Sequence, residues 1–392
     1  MAAIRNHSPY DVGFGIYVHW PFCLNKCPYC DFNSHVRHQK IDNDAFSAGL
    51  VRELQFFYRQ TRDRQVTSIF FGGGTPSLMP PHCVAQVIDE IDRLWSMAGD
   101  VEITLEANPT SVEARNFAGY RTAGINRVSV GVQALLDDDL KKLGRQHSVD
   151  EALRAFKLAS RIFERTSFDL IYARPGQSIQ AWRSELEQAL AHQQGHMSLY
   201  QLTIEADTAF EGLYRSGKLL IPDDDLAVGL YDVTQELTDK AGLPAYEISN
   251  HAAPDQQSRH NLLYWQYGEY AGVGAGAHSR LLTGDHGRVG LSTEKNPESW
   301  LSLVETTGSG VVETETLSLE AQSHEFLLMG LRLRQGIDLQ RYKQLFGSRI
   351  SSDQITVLAE QGYIKYNAAN QTIAATKSGA KVLNSLIAML ID

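Results

Sequence analysis

The sequence predicts an α/β fold: a partial (β/α)6 barrel followed by a small, helical, winged-helix-like C-terminal domain. Three observations lead there. Short β-rich segments alternate with amphipathic helical ones through the first two thirds of the chain, the pattern of parallel βα units. Polar residues and glycines collect just after those β segments, where the loops of a barrel mouth build a ligand site. From about Glu315 the alternation gives way to helical stretches and two short extended ones.

Six strands are expected, at Gly15 to Trp20, Val66 to Phe71, Val101 to Glu106, Arg127 to Val132, Ser167 to Tyr172 and Met197 to Ile204. Between the first two, Phe46, Leu50, Leu54 and Phe57 share one helical face; after the second, Val84, Val87, Ile88, Ile91 and Leu94 do the same. The tail predicts helices over Ala321 to Arg334, Leu339 to Phe346 and Ser351 to Glu360. Extended pieces at Tyr363 to Tyr366 and Thr372 to Ala374 follow, and then a helix from Ser378. We divide the chain into a barrel with an extension, residues 1–290, and a C-terminal domain, 291–392. Winged-helix modules often bind DNA, but an acidic chain without a basic recognition helix points to packing or protein contact instead.

With 392 residues, 43% of them hydrophobic, the chain can bury a substantial core. Its net charge of -10 offers no broad attraction to phosphate backbones, so nucleic acid is not an expected partner. No apolar run reaches the ~18 residues of a membrane span. The polar stretch Met1 to Val12 lacks the regions of a signal peptide. A soluble, cytoplasmic protein is the expectation.

Of four cysteines, Cys23, Cys27 and Cys30 stand in one run after the first strand. They make a poor disulfide framework and a natural thiolate cluster. Three thiolates hold three irons of a [4Fe-4S] cubane and leave the fourth open to a small molecule. Zinc competes, with His19 or His35 as a fourth ligand. Cys83 lies in the apolar face of a helix and reads as a buried small hydrophobe. Gly72-Gly73-Gly74-Thr75-Pro76 ends the second strand; glycines there let backbone approach a ligand, or simply make a tight βα turn. Glu106 ends an apolar strand, where a carboxylate needs partners such as two ribose hydroxyls, or else marks a solvated strand end.

The cysteine spacing, with Tyr29 directly before Cys30, resembles the radical S-adenosylmethionine superfamily, and the triple-glycine segment looks like the one that holds the amino group of S-adenosylmethionine there. Tyr17-Val18-His19-Trp20-Pro21-Phe22-Cys23, Gly72 to Pro76, Glu106-Ala107-Asn108-Pro109, Gly131-Val132-Gln133 and Asp169-Leu170-Ile171-Tyr172 resemble oxygen-independent coproporphyrinogen oxidase and its relatives over nearly the whole chain. This resemblance implies that Tyr17, Gly73 and Glu106 contact a cluster-bound S-adenosylmethionine. Gly74, Thr75, Gln133, Arg145 and Asp169, alongside Tyr29, fall where the oxidase holds a second molecule.

Two features separate the chain from the oxidase. Phe32 stands where the oxidase has a further cysteine, and His260-Asn261-Leu262-Leu263-Tyr264-Trp265 matches the signature of a heme-chaperone branch of the family, as do Tyr246 to Asn250 and Gly274 to Ser279. That branch implies heme as cargo, with His260 offering an imidazole and Tyr264 and Trp265 flat apolar surface. It also implies a heme-accepting protein as partner, with a homodimer as a further expectation. Radical decarboxylation of coproporphyrinogen III and radical methyl transfer are the alternatives. Ala173-Arg174-Pro175 departs from the family's Gly-Leu-Pro and sets a bulky cation near the expected site.

Overall fold

The computed structural model describes residues 12–37, 39–282, 284 and 287–391. The polar opening stretch lies outside them up to residue 11. Parallel strands form where the alternation places them: β1 Phe14–Trp20, β2 Gln65–Gly73, β3 Ser96–Ala107, β4 Arg127–Gln133, β5 Arg165–Tyr172 and β6 His196–Gln201. The sixth stops short of Ile204, because its partner β5 ends at Tyr172, opposite Gln201. β7 Asn250–Ala252 closes one edge, antiparallel to β6. At the other edge β8 Glu269–Val273 joins β1 in parallel, followed by β9 His278–Leu282, β10 Arg288–Thr293 and β11 Val311–Leu317. The result is one open 11-stranded sheet, ordered β11-β10-β9-β8-β1-β2-β3-β4-β5-β6-β7.

Helices cover its outer face. In α1 Asn43–Tyr58, Asp42 caps the first turn by accepting from Ala45 N, and Phe46, Leu50, Leu54 and Phe57 are buried against the sheet. Each such side chain contributes about 1.5–3 kcal/mol relative to exposure. α2 Pro81–Leu94 opens on a proline, which needs no N–H at that position. α3 Val149–Ile162 starts with a Ser148–Glu151 capping box, and α4 Ile179–Leu190 packs with α5 Asp224–Lys240.

Residue 290 falls inside β10, and the main sheet continues to Leu317; Leu291, Trp300 and Val304 share its core. A second core, containing Phe326, Leu358, Ile373 and Leu386, belongs to the tail. There α6 Leu319–Gly330, α7 Leu339–Phe346 and α8 Ser352–Glu360 carry a hairpin of β12 Ile364–Asn367 and β13 Thr372–Ala375. Two helices, Lys377–Lys381 and Leu383–Ile391, complete this winged-helix-like module.

Candidate functional site

Strand register sets the cysteine loop beside the glycine loop. β1 and β2 pair so that His19 lies opposite Gly72 and Trp20 opposite Gly73, and the chain leaves both strands at one level. Gly74 N then donates to Trp20 O at 2.8 Å and Thr75 N to Phe22 O at 2.9 Å. A Cβ on Gly74 would lie 2.8 Å from the Pro21 carbonyl, so only glycine lets the two loops close together.

Cys23, Cys27 and Cys30 are half-buried along this loop, and burial pushes the Cys23 and Cys30 thiols up from their ordinary range. Thr75 Oγ1 donates to Cys23 Sγ at 3.2 Å, and Arg145 Nη1 to Cys27 Sγ at 3.6 Å. Arg145 also donates to Gly131 O at 3.2 Å and to Asn108 Oδ1, while Asn108 Nδ2 reaches Thr75 Oγ1 at 3.3 Å. Donors from the loops after β2 and β4 thus reach the thiols, with Asn108 from the loop after β3 linking Thr75 to Arg145, and the Thr75 bond works against the burial that raises Cys23. Asn108 is central to it.

The three sulfurs are not drawn within 4.8 Å of one another; among the described residues that spacing occurs at Asp44, His82 and Cys83 instead. Both histidines near the loop are committed elsewhere: His19 Nε2 to Asn33 O at 2.9 Å, and His35 Nε2 to Asn33 Oδ1 and Lys295 O, each at 3.1 Å. The donor set therefore suits a body larger than a single zinc ion. Cys83 is fully buried in the barrel core, away from the other three.

The cysteines, Tyr29, Gly73, Gly74, Thr75, Glu106, Gln133, Arg145 and Asp169 line one cleft of about 490 Å³ at the strands' C-terminal ends. Glu106 is pushed up to about 8, first by burial and then by the charge of Asp169. Burial raises Asp169 too, against hydrogen bonds from Ser167 Oγ at 2.6 Å and Ser129 Oγ at 2.7 Å. Gln133 sits at a register shift in β4 with φ at 71°, and its Oε1 is buried without a partner among the described residues. A bulge and a left-handed glutamine at the cleft wall are the kind of local strain that functional sites retain.

A second cleft, of about 730 Å³, adjoins the first and shares Gly73, Glu106, Phe32 and Tyr200 with it. Tyr17, His260 and Tyr264 line it. The His260 ring stacks on Phe70 at 5.1 Å and on Tyr17 at 6.3 Å. Its Nδ1 meets Ser68 Oγ at 3.0 Å, while the other ring nitrogen has no hydrogen bond among the described residues. Burial holds this imidazole down to about 3, so it is neutral. His260 and Tyr264 are one turn apart on the helix Arg259–Trp265 and face the cleft together. Trp265 is rotated about 100° further. It lines a different cleft, with Phe326 and Leu333 of the tail, and the Arg332 guanidinium lies 5.8 Å from its ring.

Arg174 does not reach either cleft. Ala173 takes a left-handed φ of 59°, where the related pattern has glycine, and Arg174 is buried beside α4. Its guanidinium is buried on Glu185 at 2.5 Å and Asp139 at 3.0 Å, so access to the site is unaltered. Sequence reasoning missed Tyr200, Tyr270 and Arg127, which also line the clefts. Arg127 had a visible signal: it is the one cation in the otherwise uncharged strand Arg127–Gln133.

Residues 17–189 match the Radical SAM superfamily, and residues 317–371 the HemN C-terminal domain. The chain is 37% identical to "Heme chaperone HemW" of Haemophilus influenzae, covering 96% of this chain and 97% of that one. It is 35% identical to the Escherichia coli HemW over the same shares. "Radical S-adenosyl methionine domain-containing protein 1, mitochondrial" of Bos taurus is 38% identical, covering 96% and 87%. Among solved structures, Escherichia coli coproporphyrinogen III oxidase (HemN) superposes with a TM-score of 0.80 at 19% identity, covering 96% of this chain and 90% of that one, which shows the shared fold. No helix among the described residues is long and apolar enough to cross a membrane. With relatives at this identity along almost its full length, the chain belongs to the radical SAM family that contains the HemW heme chaperones.

Proposed function

We propose that this chain is a heme chaperone of the cytoplasm that binds heme and passes it to an acceptor protein. The observation that carries the reading is the second cleft. Its flat aromatic wall and a neutral imidazole, with one ring nitrogen free of hydrogen bonds from the described residues, suit a metallated macrocycle, in a chain whose full-length relatives include HemW.

The residues at the barrel mouth fit a [4Fe-4S] cluster and S-adenosylmethionine. Cys23, Cys27 and Cys30 would hold the cluster; Gly73, Glu106 and Tyr17 would hold S-adenosylmethionine, with Tyr29 against its adenine. Gly74, Thr75, Gln133, Arg145 and Asp169 complete the polar wall. Bound there, the cluster would supply an open iron and a source of one electron. The protein's own part is to stabilise thiolates through Thr75 and Arg145, to leave backbone room at the glycines, and to present a carboxyl at Glu106. His260 and Tyr264 would hold heme, and Trp265 would fix their helix against the tail. Phe32, shared by both clefts, stands where the related oxidase has cysteine, which favours cargo handling over decarboxylation.

Anaerobically reconstituted protein should take up about one heme per chain and release it to an acceptor captured from its own cells, with little turnover of coproporphyrinogen III. Efficient formation of protoporphyrinogen would replace this reading with the oxidase.

A further inference from the structure

The wall of the second cleft contains a buried cation whose guanidinium has no hydrogen bond from its Nε or Nη2 among the described residues. Arg127 opens β4, is only 2% exposed, and lines the cleft. Its Nε and Nη2 are buried without a hydrogen-bond partner. A carboxylate oxygen of Glu102 lies 3.9 Å from Nε, but that same oxygen is held by Arg165 Nη1 at 2.5 Å. The remaining oxygen of Glu102 accepts from Ser258 Oγ and from the backbone of Arg259 and His260. Two guanidiniums, Arg127 buried and Arg165 only partly so, therefore share one carboxylate, and Arg127 has the poorer portion.

The other acids nearby do not make up the difference. Asp169 is held by Ser129 and Ser167 rather than by Arg127. Glu106, in the same cleft, lies within reach of the Arg127 charge but makes no ion pair with it among the described residues, and burial pushes its carboxyl up. A guanidinium with only one distant, shared carboxylate and no hydrogen bond to it is expensive to bury, and its fork matches a carboxylate in two parallel hydrogen bonds. Around it the cleft is flat and aromatic, with Tyr17, Phe70, His260 and Tyr264 on its walls. A ligand for this space combines a planar apolar body with an acidic arm.

We propose that Arg127 anchors a propionate carboxylate of the tetrapyrrole cargo, so that heme sits inside the barrel cleft next to the cluster side, its ring along the Tyr17–Phe70–His260 wall. This rests on the heme-chaperone reading and adds the location and the anionic contact. The test is a pair of anaerobic titrations of the full-length reconstituted protein, with hemin and with hemin dimethyl ester in the same detergent. Wild type should bind hemin at least about tenfold tighter than the ester, the contribution of one charge-assisted hydrogen bond. Arg127→Gln should lose about tenfold for hemin and no longer distinguish the two, with cluster absorbance retained. Equal wild-type affinity for hemin and ester, or unchanged hemin affinity in Arg127→Gln, overturns the proposal while leaving the chaperone reading intact. If wild type binds neither, both fall. Should Arg127→Gln fail to fold, equal wild-type affinity for hemin and its ester still overturns the proposal.

Discussion

Glu106 shows how one side chain couples the site to pH. Burial and the neighbouring Asp169 push its carboxyl up to about 8, against the Gly73 backbone N–H that favours the charged form. Ribose hydroxyls donate best to an ionised carboxylate, so a ligand that uses Glu106 must take the proton off. S-adenosylmethionine affinity should therefore rise as pH increases from 7 toward 8, by up to about tenfold per pH unit, and level off above. Calorimetric titrations at several pH values check this, and Glu106→Gln should flatten the profile. The position of this acid was readable from its place at the end of an apolar strand. The role of Arg174 was not: whether a long cation points toward the cleft or away from it depends on Glu185 and Asp139, which lie 11 and 35 positions away.

At the scale of elements, the cysteine loop is held by contacts remote in sequence. Asn33 uses every polar atom of its side chain: Nδ2 donates to Ala275 O at 2.8 Å and Lys295 O at 2.9 Å, and Oδ1 meets His35 Nε2 at 3.1 Å. Its backbone carbonyl meets His19 Nε2 at 2.9 Å. Gly276 is tight against it, since a Cβ there would lie 2.3 Å from Asn33 Nδ2. The cysteine motif is legible because its ligands sit within one short run. The staple is not, because its partners are 242 and 262 residues away and no local pattern records them. Asn33→Ala removes both donors and frees the loop; Lys295 O keeps His35 Nε2, while Ala275 O loses its side-chain donor, a local loss of about 1–3 kcal/mol. Iron and sulfide content after reconstitution should fall several-fold, while far-ultraviolet circular dichroism stays native. Gly276→Ala should lower iron content in the same way, by displacing the asparagine rather than deleting it.

Across the whole molecule, the βα alternation was legible because each repeat carries its own hydrophobic period, as in the Phe46, Leu50, Leu54 and Phe57 face. The extent of the main sheet was less so, because β10 and β11 are joined to it by long-range pairing and by one buried acid. Glu53, on α1, accepts from Gly274 N at 2.8 Å, Trp300 Nε1 at 3.0 Å and Gly310 N at 2.7 Å. It thereby binds together α1, the turn after β8, the helix Pro297–Thr307 and the approach to β11. Burial outweighs those donors and raises its carboxyl from 4.5 to about 7. Between these values the folded chain binds the proton that the unfolded chain has released, so stability falls as pH rises through the interval and is level above it. The loss amounts to about 3 kcal/mol. Glu53→Gln cannot titrate, although its amide places donors against the N–H groups it must satisfy and so lowers stability at every pH. The wild-type advantage over Glu53→Gln in urea unfolding should therefore shrink between pH 5 and 7 and stay constant from 7 to 8. Parallel stability curves over that range would mean that Glu53 is already ionised in the folded chain, with its three donors outweighing its burial.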